Sequence, residues 1–161
     1  MAAPSLRNPP SRKNKPARSL RARALALLAR REYSRQELAR RLAFFTEDPA
    51  EISGLLEDFE RRGWLSEERV VEQVVASRRR RFGASRIAHE LREKGIPDAM
   101  IVDACAKLRP SEVEAARDVR RRKFKAAPAD ARERARHMRF LQGRGFSLDV
   151  IRKVIRGDGD D

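Results

Sequence analysis

The residues best equipped for chemistry in this chain are guanidinium groups. Arg78, Arg79, Arg80 and Arg81 stand in a row; Arg117, Arg120, Arg121, Arg122, Lys123 and Lys125 form a second cluster; and Arg132, Arg136 and Arg139 recur at i, i+4 and i+7. On a helix the last spacing puts three cations on one face. Consecutive helical positions lie about 100° apart, so four arginines in a row encircle the helix and most of them face solvent. The helix macrodipole favours cations near a C-terminus by about 0.3–1 kcal/mol each, a role that one or two arginines already fill. Four in succession repel one another, and an anionic partner accounts for them better. A guanidinium chelates phosphate or carboxylate through two parallel N–H donors, so both kinds of partner fit.

Other chemistry finds little support. Cys105 is the only cysteine, which excludes an internal disulfide, and Ile101, Ala104 and Leu108 place it on an apolar helix face. It reads as core filling and not as a nucleophile. His89 and His137 fall in separate segments without Cys, Asp or Glu at ligand spacing around both. No catalytic residue, metal site or cofactor is therefore expected. The longest apolar run, Ala24 to Ala29, falls far short of the ~18 residues of a membrane span, and no apolar signal region follows the basic N-terminus. A cytoplasmic protein without membrane contact is the expectation.

The charge balance points to an acidic partner. With 38 basic and 24 acidic residues among 161, the formal charge is +14, which suits nucleic acid or a nucleic-acid-coated protein more than a small neutral substrate. Met1 to Ala17 hold four basic residues, no acid and four of the eight prolines. Residues 1–18 are read as a disordered basic arm. The remainder keeps a charge of +10, so the folded body is basic by itself.

What positions these cations is a repeat. Leu38, Ala39, Leu42, Ile52, Leu55, Leu56 and Phe59 match Ile87, Ala88, Leu91, Ile101, Ala104, Cys105 and Leu108, and Leu91, Gly95, Ile96, Ile101, Ala104 and Cys105 match Leu141, Gly145, Phe146, Ile151, Val154 and Ile155. A period of about 49–50 residues marks stacked helical units. Capping signals divide them. Ser34 with Glu37 starts one helix, Asp48-Pro49 with Glu51 another, and Gly63, Gly95 and Gly145 mark stops. Val70, Val71, Val74 and Val75 follow a helical stripe and not an alternation. The predicted architecture is all-α, an elongated array of three tandem three-helix units at 19–65, 66–109 and 110–156, with a frayed acidic tail at 157–161. In this reading Leu108 ends the last helix of the second unit and Pro110 opens the first helix of the third. Arg21, Arg23, Arg30 and Arg31 lie on the first helix of the first unit, so one basic track along the whole body is expected, on faces that Glu112, Glu114 and Glu133 make mixed.

The run Gly63, Trp64, Leu65, Ser66, Glu67, Glu68, Arg69, then Ala76, Ser77, Arg78, then Phe82, Gly83, Arg86, Ile87, Glu90, Leu91, Lys94, Gly95 and Ile96 resembles the central signature of the RecX regulators of the RecA recombinase. Tyr33, Ser34, Glu37 and Leu38 upstream, and Phe140, Leu141, Arg144, Gly145 and Phe146 near the end, extend the resemblance over roughly residues 20 to 156. Trp64 replaces the family's usual Tyr, and its acidic pair is displaced to Glu67 and Glu68. The resemblance implies binding in the groove of the RecA filament on single-stranded DNA, with inhibition of ATP hydrolysis, strand exchange and co-protease activity, and no enzymatic activity of its own. It adds Arg86 to the expected interface. A monomer with weak, sequence-independent affinity for nucleic acid is anticipated. The rival reading is a direct DNA-binding protein of helix-turn-helix type, but its second helices would carry only Gln36 and Gln142 as amide base readers.

Overall fold

The computed structural model describes residues 17–157; the expected basic arm through residue 16 and the tail from residue 158 lie outside them. Among the described residues there are eight helices and no strand: α1 (Leu20–Leu28), α2 (Arg35–Leu42), α3 (Pro49–Arg61), α4 (Glu67–Arg78), α5 (Ala84–Glu93), α6 (Asp98–Lys123), α7 (Ala131–Gly143) and α8 (Leu148–Arg156). Six of them begin at a residue whose side chain accepts a first-turn amide: Ser19, Ser34, Asp48, Ser66, Asp130 and Ser147. Ser34 and Glu37 close a full capping box.

Three apolar clusters organise the chain. Ala24, Leu38, Leu42, Leu56, Phe59 and Leu65 pack among α1, α2 and α3. Val70, Val74, Ile87, Leu91, Ile101 and Leu108 join α4, α5 and the first half of α6. Ala116, Val119, Leu141, Phe146, Ile151 and Val154 join the second half of α6 to α7 and α8. The fold is thus all-α, a tandem array of three-helix units.

One boundary differs from the sequence reading. A helix break before Pro110 was expected, yet α6 runs unbroken for 26 residues with Pro110 inside it, giving eight helices among the described residues where nine were expected. Proline has no N–H for the carbonyl four residues back and crowds it, which costs about 3 kcal/mol in a helix interior. Burial on either side offsets that cost. Leu108 seals one core and Ala116, two turns on, enters the next, with Glu112 buried between them. Ser111 Oγ donates to the Leu108 carbonyl at 3.0 Å in the same turn.

The two joints between units share one design. The start of the second helix of one unit rests on the turn between the second and third helices of the next. At the first joint Ser34 Oγ donates to the Lys94 carbonyl and Gln36 covers Gly95. At the second, the Gly83 N–H donates to the Arg144 carbonyl at 2.9 Å and Arg86 covers Gly145. Gly95 and Gly145 have φ of 77° and 86°, the left-handed region expected of helix stops. The structure gives both a second constraint, because each also seats the preceding unit.

The first joint is polar. Lys94 Nζ pairs with Glu37 at 3.0 Å and Arg69 with Glu32 at 2.9 Å. Burial is the largest influence on the Glu37 carboxyl and raises its pKa, but the Ser34 N–H, Lys94 and Arg31 together outweigh it and hold the value below the usual 4.5.

Two outcomes follow for stability. Gly95→Ala should cost about 1 kcal/mol or more, from backbone strain and because the new methyl would meet the Gln36 side chain, with its Cβ 2.7 Å away. Gly145→Ala should cost more, about 2 kcal/mol or above, because its methyl would lie 2.6 Å from Arg86 Cβ and 2.8 Å from the Arg86 backbone nitrogen. Urea unfolding of both variants measures the order. Glu37→Gln should destabilise the chain by on the order of 1 kcal/mol at neutral pH. A depressed carboxylate contributes stability that is present above its unfolded value and lost as pH falls through its folded one. The gap between parent and variant should therefore hold from neutral pH down to about 4.5 and close below it, as read by thermal melts across pH.

Candidate functional site

The guanidiniums singled out in the sequence fall into three environments. Arg78, the last residue of α4, is chelated by Glu90 of α5, Nε to Oε2 at 3.0 Å and Nη2 to Oε1 at 3.4 Å. Arg79, Arg80 and Arg81 follow it into solvent. Arg86 on α5, Arg121, Arg122 and Lys123 at the end of α6, and Arg132, Arg136 and Arg139 on α7 are exposed, while Arg117 is half-buried. Arg120 is buried at 4% exposure, so it does not share the surface its neighbours present. Glu112, expected on a mixed surface, is also buried; its carboxylate accepts the Ala84 N–H at 2.8 Å. It caps α5, whose N-cap residue Gly83 has no side chain to do so.

Folding brings the first two clusters together. Arg79 and Arg80 face Arg122 across a groove of about 290 Å³ that Ser111, Glu114 and Asp118 also line. A second hollow, about 330 Å³, is lined by Arg78, Arg81, Phe82, Arg86, Ile87 and Glu90. The first is a mixed-charge groove. The second holds one carboxylate, already engaged by Arg78.

Aromatic rings connect these places. Arg136 lies 5.5 Å from the Phe124 ring centroid, and Phe124 meets Phe140 edge to face at 5.5 Å. Lys123 and Arg144 stand over Phe140 at 5.9 and 5.3 Å. Arg144 also lies 5.3 Å from Phe82, whose ring carries Arg86 at 4.5 Å and Arg81 at 5.8 Å. Cations over ring faces gain about 0.5–1 kcal/mol at exposed sites, and stacking restricts a side chain that solvent would leave mobile. The result is a continuous run of cations and rings from α7 to the α4–α5 corner.

The sequence reading missed Arg144 as a member and the rings as its framework. A signal was present in the adjacent pairs Arg81-Phe82, Lys123-Phe124-Lys125 and Arg139-Phe140. Nothing local, however, indicates that Phe82 and Arg144 meet.

In the first unit the expected cations divide: Arg23, 4.0 Å from the Phe45 ring centroid, and Arg30 form no ion pair with a described residue, whereas others are paired. Arg21 pairs with Asp58 at 2.9 Å, Arg31 with Glu37 at 3.3 Å and Arg35 with Glu60 at 2.7 Å, while Arg61 and Arg62 also reach Asp58. By contrast Arg79, Arg80, Arg81, Arg86, Arg121, Arg122, Arg132, Arg136, Arg139 and Arg144 form no ion pair with a described residue.

Burial pushes the Cys105 thiol pKa up, and the nearby Glu112 charge adds to the rise, so little thiolate forms at neutral pH. His137 is buried and stacked on Phe124 at 3.7 Å, and His89 pairs with Glu93 on the same helix. Among the described residues no group of three or more His, Cys, Asp or Glu is arranged to hold a metal ion, and no helix is long and apolar enough to cross a membrane.

Comparison with known proteins gives one family. Residues 66–104 match the description "RecX, second three-helix domain" and residues 111–155 "RecX, third three-helix domain". The chain is 54% identical over 143 residues to "Regulatory protein RecX" of Leptothrix cholodnii, covering 89% of this chain and 91% of that protein. It is 43% identical to the protein of the same name in Chromobacterium violaceum, covering 89% and 93%. The crystal structure of RecX from Lactobacillus salivarius superposes with a TM-score of 0.75 at 21% identity, over 87% of this chain and 94% of that one, which establishes likeness of fold.

The three environments predict different stability effects. The triple change Arg79→Ser, Arg80→Ser, Arg81→Ser should alter unfolding free energy by no more than about 0.5 kcal/mol, as expected of solvated side chains. Arg120→Ser, in the second cluster but buried, should cost about 1–3 kcal/mol by leaving its surroundings unsatisfied. Circular dichroism melts of the two variants test the distinction.

Proposed function

The chain belongs to the RecX family of regulatory proteins, and from that premise we propose that it binds the RecA filament on single-stranded DNA and inhibits its ATP hydrolysis, strand exchange and co-protease activity. The observation that carries this reading is similarity to a protein named as a RecX regulator over nine-tenths of both chains. Its setting is cytoplasmic control of homologous recombination and SOS repair, with no catalytic step of its own.

The arrangement of the cations supports the reading. A tandem array spreads its contacts over more than one filament protomer, and linked contacts raise the effective concentration of each after the first has formed. Such a protein discriminates an assembled filament from free RecA. Exposed guanidiniums without internal partners meet either acidic protein surface or DNA phosphates in the filament groove. Occupying that groove hinders a second DNA or a repressor substrate and restrains protomer movement.

Direct sequence-specific DNA binding fits less well. A recognition helix presents its N-terminal residues to base edges. Here the starts of α2 and α5 are both occupied inside the molecule, at the Lys94 and Arg144 carbonyls.

The proposal predicts that the protein slows single-stranded-DNA-dependent ATP hydrolysis by its cognate RecA in a concentration-dependent way. A phosphate-release assay at saturating DNA measures this. An unchanged rate at every protein concentration would overturn the assignment.

A further inference from the structure

Arg81, Arg86 and Arg144 come from three separate places, the α4–α5 turn, the start of α5 and the α7–α8 turn, yet all lie within 5.8 Å of the centroid of one ring, Phe82. Like charges gathered this closely repel one another. None of the three forms an ion pair with a described residue. The carboxylate that lines the adjoining hollow, Glu90, is engaged on both oxygens by Arg78.

These cations are also held in place. The Arg144 carbonyl takes the N–H of Gly83, the residue after Phe82, at 2.9 Å, and Arg86 Nη1 donates to the Gly143 carbonyl at 3.3 Å. Arg144 is held from its other side by Phe140. Guanidiniums fixed this way lose less freedom on binding an anion, which raises affinity without adding a contact. Beside them lies the 330 Å³ hollow that Arg81, Phe82 and Arg86 line.

We propose that Phe82 and the guanidiniums of Arg81, Arg86 and Arg144 form a seat for backbone phosphates of single-stranded nucleic acid at the joint between the second and third units. Phe82 is its positioning residue. This deepens the filament reading and rests on it for its setting, since a RecA filament carries a single strand. Two features favour nucleic acid over an acidic protein surface. The cations continue through Phe140, Lys123, Phe124 and Arg136 as a connected run of rings and charges, the combination that suits a strand with phosphates and stackable bases. The seat itself has no uncompensated acid, whereas the mixed-charge groove at Glu114 and Asp118 suits a protein with charges of both signs.

The test uses the full chain and a fluorescent oligothymidylate without RecA, with binding followed by anisotropy across a salt series. Each of Arg81→Gln, Arg86→Gln and Arg144→Gln should flatten the dependence of log affinity on log salt by about 0.7, the loss of one phosphate contact on a single strand. Phe82→Leu, with unchanged melting, should weaken binding about tenfold at low salt, and Phe82→Trp should restore it. A role in packing alone would not move the salt slope. Parental slopes in all three arginine variants would overturn the seat, as would a parent chain with no affinity for the oligonucleotide. Normal oligonucleotide binding together with lost inhibition of the RecA ATPase would assign these cations to a protein surface, and would equally overturn it. Altered slopes with a parent that does not inhibit RecA would leave the seat standing and remove the filament reading instead.

Discussion

Gly83 and Gly145 approach one another backbone to backbone, and the arrangement of the third of the chain that carries the free cations depends on that approach. The Gly83 N–H reaches the Arg144 carbonyl at 2.9 Å, a methyl on Gly83 would run into the Gly145 carbonyl, and one on Gly145 would strike Arg86. Only residues without Cβ permit it. Phe82 and Arg144 are the immediate chain neighbours of these two glycines, so fixing the backbones fixes the ring against the guanidinium. Because Gly83 offers α5 no capping side chain, the Ala84 N–H is met by Glu112 from across the joint. Glu112 stands where it does only because α6 continues past Pro110. The unbroken helix, the buried carboxylate, the glycine pair and the ring with its cations form one line of dependence.

The joint between the first and second units uses the same element of the repeat with different chemistry. There Ser34 makes the bond to the facing carbonyl through its hydroxyl, and a side-chain ion pair, Lys94 to Glu37, replaces the close backbone approach. No helix is shared across it. The Lys94 and Glu37 side chains are 22% and 17% exposed, well shielded beside the other pairs of the first unit, so salt screens this pair less than those on open surface. One joint is crossed by a single unbroken helix; the other is a seam closed by side-chain ion pairs.

The period, the capping boxes and the left-handed glycines were legible because they depend on spacing and local backbone chemistry. One local rule misled. Proline after Arg109 reads as a helix start, and with α6 cut there Glu112 and Arg120 look like ordinary surface charges. On one continuous helix Ile101, Ala104, Leu108, Glu112, Ala116 and Val119 lie at steps of three and four, with Arg120 four on from Ala116, a single buried stripe. The same misplaced boundary thus hid both buried charged residues. The ring-centred cations were hidden for a different reason, since Phe82 and Arg144 are brought together by folding across units and no window of sequence contains both.

The uneven fate of the arginines bears on what the overall charge means. Exposed ion pairs contribute about 0–1 kcal/mol each, so those linking Arg21, Arg35, Arg61 and Arg62 to carboxylates of α3 are minor terms in stability. Their larger consequence is to neutralise cations that would otherwise face an anionic partner. The first unit presents apolar surface instead, with Phe44 at 84% exposure and Phe45 at 52%. In the second and third units more of the guanidiniums are without an ion pair, and Arg81, Arg86, Arg136 and Arg144 among them lie over rings. The unpaired cations are therefore more numerous beyond the polar seam at Lys94 than before it, where Arg23, Arg30, Arg40 and Arg41 are the first unit's share.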